Sequence, residues 1–197
     1  MMFGDIPRPI LKRMAYLEAA DARDRANNTS RMQRLRQVPP ETGRFLALMA
    51  VQAPVGEWLE IGTSGGYSAL WIALACRVAN RKLTTFEILA DKAALARETL
   101  ATAGVTEWVD LIEADALERI DACENISFCF LDAEKEVYQA AYDLIVPRMA
   151  SGGILVADNV ISHKEQLQSF VDNAMSDKRV DATVLTIGKG LLYCRRC

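Results

Sequence analysis

A chain of 197 residues, 51% of them hydrophobic and with a formal charge of only −3, has the size and balance of one globular domain with a substantial core. That charge implies no broad basic surface of the kind a dedicated nucleic-acid binder presents, and no apolar run approaches a membrane span or a secretory signal core. The five cysteines (Cys76, Cys123, Cys129, Cys194 and Cys197) are odd in number and only Cys194 and Cys197 have metal-like spacing, so reduced thiols in a cytoplasmic protein are expected rather than a disulfide framework.

Taken in chain order, residues 8–26 set Ile10, Leu11, Met14, Leu17 and Ala20 at helical spacing, which predicts a helix leaning on the body or on a second copy. With the loop signal Asn27-Asn28-Thr29-Ser30 it forms an N-terminal helical extension, residues 1–37, to a domain that spans 1–197. Pro40 or Glu41 opens a second helix through Phe45, Leu48, Met49 and Val51, which Pro54 ends. From there strands and helices alternate. Strand 55–61 runs through Gly62-Thr63-Ser64-Gly65-Gly66 into helix 66–79. Strand 82–87 ends in Glu87, and Asp91 is placed to cap a helix that Gly104 stops. Strand 108–114 precedes Asp115 and a short helical turn. The all-apolar run Ile126–Leu131 reads as a central strand buried on both faces. Helix 135–149, strand 154–157, a helix near 163–175, and two strands at 180–187 and 191–195 complete the pattern. The alternation predicts an α/β, doubly wound, mostly parallel sheet with an antiparallel C-terminal hairpin.

In such a sheet ligands bind outside the carboxyl ends of the strands, and Glu60, Glu87, Asp115, Asp132 and Asp158 all fall along that edge. The glycine turn lets backbone approach a nucleotide-like ligand closely, yet it does not fit the dinucleotide pattern GxGxxG. Glu60 disfavours a pyrophosphate and suits a ligand with an ammonium group. Glu87, closing the second strand, is the usual grip on ribose hydroxyls. Asp132 with Asp158-Asn159 supplies only hard oxygen donors, which suits Mg²⁺; the plain alternative is a chain turn after the fifth strand. Lys135 at a helix start is either incidental or carries a labile proton. His163, the only histidine, reads as a surface residue, which leaves no Ser–His or Cys–His relay without it.

Three separated segments resemble the class I S-adenosylmethionine-dependent O-methyltransferases, specifically the metal-dependent catechol and caffeoyl-CoA O-methyltransferase group. They are Leu59-Glu60-Ile61-Gly62 with Gly66-Tyr67-Ser68, Phe130-Leu131-Asp132 with Lys135 and Tyr138, and Gly152-Gly153 with Ala157-Asp158-Asn159. The resemblance covers roughly residues 31–197 and implies a Rossmann-like methyltransferase fold. By it Gly62, Thr63 and Ser68 contact the methionine end of the cofactor, with Glu60 lining that side. Glu87 binds the ribose, Asp115 and Ala116 border the adenine, and Val38 touches the cofactor by its backbone. Asp132, Asp158 and Asn159 hold Mg²⁺ or another divalent cation, Asp132 also contacts the cofactor and shares the catalytic role, and Lys135 is the general base.

The resemblance therefore implies methyl transfer to a hydroxyl of a catechol-like or other hydroxylated aromatic by a homodimer, with no membrane partner. The alternatives are a hydroxylated tRNA nucleoside as acceptor, which the acidic balance disfavours, an NAD-dependent oxidoreductase, and a non-catalytic cofactor-binding protein. The residues after Asn159 do not identify the acceptor.

Overall fold

The computed structural model describes residues 2–30 and 33–197. Its centre is a seven-stranded sheet of order β3-β2-β1-β4-β5-β7-β6. The strands are β1 (Glu57–Ile61), β2 (Leu83–Glu87), β3 (Val109–Glu113), β4 (Ile126–Leu131), β5 (Met149–Ala157), β6 (Val180–Leu185) and β7 (Leu191–Arg196). The first five are parallel, while β7 runs antiparallel to both β5 and β6. The Rossmann-like fold and the antiparallel end expected from the alternation are both present. Strand order reverses between β1 and β4, and a crevice opens at such a switch point on the carboxyl side.

Burial explains why the central strands are so apolar. All six residues of β4 are buried, because helices cover both of its faces. On one face lie α1 (Arg8–Ala26), α2 (Pro40–Gln52) and α3 (Tyr67–Ala79), whose Leu17, Leu46, Leu70 and Ile72 pack with Phe128 and Phe130. On the other lie α5 (Tyr138–Ile145) and α6 (Lys164–Ser176), whose Tyr138, Ile145 and Phe170 pack with Leu59, Leu131 and Leu155. Helix α1 is part of this body: Ile10, Met14 and Leu17 are buried in the same core as α3. Its Arg13 reaches Thr99 Oγ1 at 3.0 Å and Glu98 Oε1 at 2.8 Å on α4 (Ala90–Ala103).

Several boundaries differ from the sequence expectation, each for a local reason. Helix α4 starts at Ala90 after Leu89, with no side-chain cap; Asp91 lies inside the first turn, where its charge favours the helix dipole. The long helix expected over 135–149 is a 3₁₀ turn (Lys135–Val137), α5, and a second 3₁₀ turn (Val146–Arg148). Pro147 cannot donate to an α-helical ladder there. Strand β5 begins at Met149 rather than Ile154 and carries Gly152-Gly153 within it. Ile126 pairs with Met149 but Phe128 pairs with Ile154, so the extra residues form a bulge. A Cβ on Gly153 would lie 2.9 Å from both the Ala150 and Ile126 carbonyl oxygens, and the bulge therefore requires glycine.

Where α2 crosses α3, a Cβ at Gly43 would lie 2.2 Å from Trp71 Cδ1. Gly→Ala inside a helix ordinarily stabilises by about 0.5–1 kcal/mol. Here overpacking against the indole outweighs that gain, and Gly43→Ala is expected to lower stability by about 1–3 kcal/mol. Urea denaturation of the two proteins checks the sign.

Candidate active site

At the β1/β4 switch point a cavity of about 640 Å³ opens across the carboxyl ends of the strands. Its floor is the turn after β1. Gly62 has φ +97°, and a Cβ there would lie 2.2 Å from the Asp132 carbonyl oxygen. The absence of a side chain thus lets the end of β1 sit against the end of β4. Gly66 takes φ +87° and caps α3 in the left-handed region, and the Gly62 and Thr63 amides both donate to the Phe86 carbonyl.

Most sequence-derived candidates line this one cavity: Val38, Gly62, Thr63, Ser68, Glu87, Asp115, Ala116, Asp132, Lys135 and Asn159. Glu87 is held by two backbone amides, Ser64 N at 2.7 Å and Leu89 N at 2.9 Å, which fixes both oxygens and leaves each a further lone pair. Asp115 caps the turn after β3 through Leu117 N at 2.9 Å. Thr63 and Ser68 are almost fully buried beneath the turn.

Glu60 does not line the cavity. It is fully buried below the turn, where Oε2 accepts from Thr85 Oγ1 at 2.6 Å and Thr85 in turn meets Thr63 Oγ1 at 2.5 Å. Oε1 has no partner. Burial raises this carboxyl from 4.5 to about 7, against the lowering effect of hydrogen bonds from Ser68 and Thr85. Glu60 therefore organises the hydroxyls of the turn from underneath, a placement that the linear motif does not reveal.

Asp132, Lys135 and Asn159 line the second half of the cavity, and Asp158 lies buried behind them, outside its lining. Asp158, at the end of β5, is fully buried, and neither carboxylate oxygen has a hydrogen-bond partner among the described residues. Desolvation, followed by the charge of Asp132, pushes it up to about 7. Asn159 sits at φ +68°, a left-handed conformation that Asn tolerates, and its Nδ2 donates to Asp132 Oδ1 at 2.7 Å. Lys135 Nζ donates to Ala133 O at 2.9 Å and to Tyr138 Oη at 2.8 Å, and lies 3.5 Å from Asp132 Oδ1. Burial lowers the Lys135 pKa, while Asp132 and Asp158 oppose that shift. Tyr138 Oη donates onward to the Asp158 carbonyl at 3.1 Å, tying the lysine to the end of β5.

Among the described residues no group of three or more His, Cys, Asp or Glu side chains is disposed to hold a metal ion. The rim offers two carboxylates and one amide, and a hard cation accepts both kinds of oxygen. Two buried, unpartnered oxygens beside a second carboxylate are chemically suited to such an ion. Asn159 would take part through its amide oxygen after a half-turn of the amide, whose N and O are assigned only by their hydrogen bonds.

Other lining residues carry no motif. Arg36 pairs with Glu134 across the cavity, Lys92 is nearly buried on α4, and Lys189 at the β6–β7 turn comes close enough to Asp158 to affect its acidity. His163 is half-buried, lines the cavity, and lies 3.0 Å through Nδ1 from Ser162 Oγ. Their positions follow from long-range pairing, which sequence spacing does not report. The cysteines are free thiols; Cys194 is buried and Cys197 exposed. No helix among the described residues is long and apolar enough to cross a membrane.

The model of the O-methyltransferase family matches residues 15–197. Catechol O-methyltransferase from Niastella koreensis is 32% identical over 165 residues, which cover 75% of this chain and 74% of that protein. Flavonoid 3′,5′-methyltransferase from Vitis vinifera is 27% identical over 189 residues, covering 82% and 79%. Among solved structures, the O-methyltransferase TomG from Streptomyces achromogenes, involved in tomaymycin synthesis and in complex with SAM, matches with a TM-score of 0.76. Its identity is 25%, over 91% of this chain and 88% of that one.

The buried Glu60 carries a pH signature. Its folded value of about 7 lies above the 4.5 of an exposed carboxyl, so its contribution to stability is fully present below pH 4.5 and is lost as pH rises to 7. The loss runs at up to about 1.4 kcal/mol per pH unit in that window. Glu60→Gln removes the ionisation. Urea midpoints of the variant should fall less between pH 4.5 and 7.5 than those of the parent; parallel profiles would contradict the assignment.

Proposed function

The chain belongs to the O-methyltransferase family and is an S-adenosylmethionine-dependent methyltransferase, and from that premise we propose divalent-metal-dependent methylation of a hydroxyl on a catechol-like aromatic. The observation that carries the metal and the acceptor is Asp158, buried with two unpartnered oxygens beside Asp132, Asn159 and Lys135. The catechol and flavonoid names of the relatives support an acceptor with adjacent hydroxyls.

S-adenosylmethionine supplies the electrophilic methyl group. Its ribose is gripped by Glu87, whose oxygens are already aimed by two backbone amides, while Asp115 and Ala116 border the adenine. Val38, Gly62, Thr63 and Ser68 shape the methionine end, and Glu60 holds the Thr63 and Ser68 hydroxyls in register. A divalent ion on Asp132, Asp158 and Asn159, when bound, supplies positive charge that acidifies a neighbouring hydroxyl, which in a phenol has a pKa of ~10.

Lys135 takes the hydroxyl proton at Nζ. Burial favours its neutral form, and Tyr138 holds the amine toward the cavity from 2.8 Å. Asp21 and Arg25 of α1 and residues 34–38 line the cavity on the cofactor side. Leu35 anchors that segment by accepting from Ser64 Oγ at 2.7 Å, and excluding water there keeps donor and acceptor at reacting distance.

Initial rates with a labelled methyl donor and 4-methylcatechol test this reading. Activity is expected to vanish in excess EDTA and return with Mg²⁺ or Mn²⁺. Lys135→Ala should lower kcat about 10²–10⁴-fold while S-adenosylmethionine still binds. Full activity in chelator would overturn the metal assignment, and an unaffected Lys135→Ala variant would overturn the base.

A further inference from the structure

Next to Asn159 the cavity wall is built by Gln37, Val137, Ser162, His163 and Lys189. Lys189 is the tip of the β6–β7 hairpin, and this tip is fastened to the loop after Asp158. The Lys189 carbonyl accepts from Ile161 N at 3.2 Å and Ser162 N at 3.0 Å, and Val160 N donates to Gly190 O at 3.0 Å. A Cβ on Gly190 would lie 2.3 Å from Ile161 Cγ1, at φ +92°, so the hairpin can dock this closely only with glycine there. The lysine is consequently placed by a rigid backbone contact beside the proposed ion-binding residues.

The cations of this cavity are not equivalent. Arg25 is paired with Asp21 at 2.8 Å, Arg36 with Glu134, and Lys135 faces Asp132 at 3.5 Å. Arg34 donates to the Thr29 carbonyl at 2.5 Å. Lys92 stands on α4, within the influence of the ribose-side acid Glu87. Lys189 forms no salt bridge among the described residues; its ammonium makes one long contact, 3.5 Å, to the Gln37 carbonyl. It is half-buried and lines the cavity. Lys135 and Lys189 are thus the two ammonium groups at the acceptor end, and of these Lys189 is the one with no carboxylate within salt-bridge distance among the described residues.

Resting on the methyltransfer reading above, we propose that Lys189 is a specificity residue that selects hydroxylated aromatic acids, pairing its ammonium with a ring-borne carboxylate while the acceptor hydroxyl faces Asp132 and Lys135. A carboxylate fits better than a phosphate ester. Recognition of phosphate draws on several donors at once, typically an arginine fork or successive backbone amides. Here Arg36 is engaged by Glu134, and Gly190 N already donates to the Ile187 carbonyl. A single flexible ammonium is a point charge, suited to one carboxylate.

The test compares 3,4-dihydroxybenzoate with its neutral analogue 4-methylcatechol at pH 7.5 in saturating S-adenosylmethionine and Mg²⁺. The parent enzyme is expected to prefer the acid about tenfold or more in kcat/KM, the scale of one charge-assisted hydrogen bond. In Lys189→Gln the preference should fall to about twofold or less, and in Lys189→Glu it should invert. Calorimetric titration of the same two compounds into the enzyme with S-adenosylhomocysteine should show the same change in the ratio of dissociation constants. An unchanged ratio in a variant that still binds S-adenosylhomocysteine contradicts the proposal, as does a parent enzyme that favours the neutral compound. If 4-methylcatechol and a phosphorylated catechol outperform the carboxylate, the acceptor class is overturned while methyl transfer stands. If no catechol turns over and none binds, the catechol reading falls and this inference falls with it.

Discussion

Asp158 sets the terms for the rest of the site. Its carboxylate arrives at the end of a strand whose last residues, Ile154 to Ala157, are all buried, and neither oxygen has a partner of normal hydrogen-bond geometry among the described residues. An ionised carboxylate in such surroundings costs several kcal/mol unless a cation or hydrogen bonds compensate it. The neighbouring Asp132 raises that cost rather than relieving it. The fold nonetheless secures the arrangement from three sides. Tyr138 donates to the Asp158 carbonyl, Asn159 is held in a left-handed turn, and the β6–β7 hairpin clasps the loop that follows. A buried acid held this firmly beside a second one is the observation on which the proposed ion site rests.

The second constraint is the approach of Gly62 to Asp132. The end of β1 carries the glycine turn and the end of β4 carries Asp132, and they are neighbours because strand order reverses there. A side chain at Gly62 would wedge the two ends apart. Their contact makes one continuous cavity, with Glu87 on one side and Asp132, Lys135 and Asn159 on the other, Asp158 lying buried behind them. Glu60 supports this junction from beneath, as a buried acid whose hydrogen bonds fix the turn's hydroxyls instead of touching ligand.

The parallel core, the strand ends and the antiparallel tail were legible in the sequence because hydrophobic periodicity and glycine punctuation report local structure directly. The candidate residues were legible because acids recur where apolar strands stop. Three features were not. Glu60 reads as a pocket residue in its motif, since a linear pattern says where a residue lies along the strand but not how deeply the turn covers it. The start of β5 was hidden by Gly152-Gly153, a pair that signals a loop in sequence and forms a bulge in the sheet. Lys189 carries no motif at all, and it comes within electrostatic influence of Asp158 only because β7 pairs with β5 and returns the hairpin tip to the rim.

Manganese binding reports on the central claim without requiring the acceptor to be known. Titration of Mn²⁺ into the protein, followed by the loss of the free-ion electron paramagnetic resonance signal, should show one ion per chain at micromolar to millimolar concentrations. Asp158→Asn should weaken it by about tenfold or more, the loss of one charged oxygen ligand. Absence of binding in the parent protein, or identical binding in the variant, would contradict an ion site on Asp132, Asp158 and Asn159.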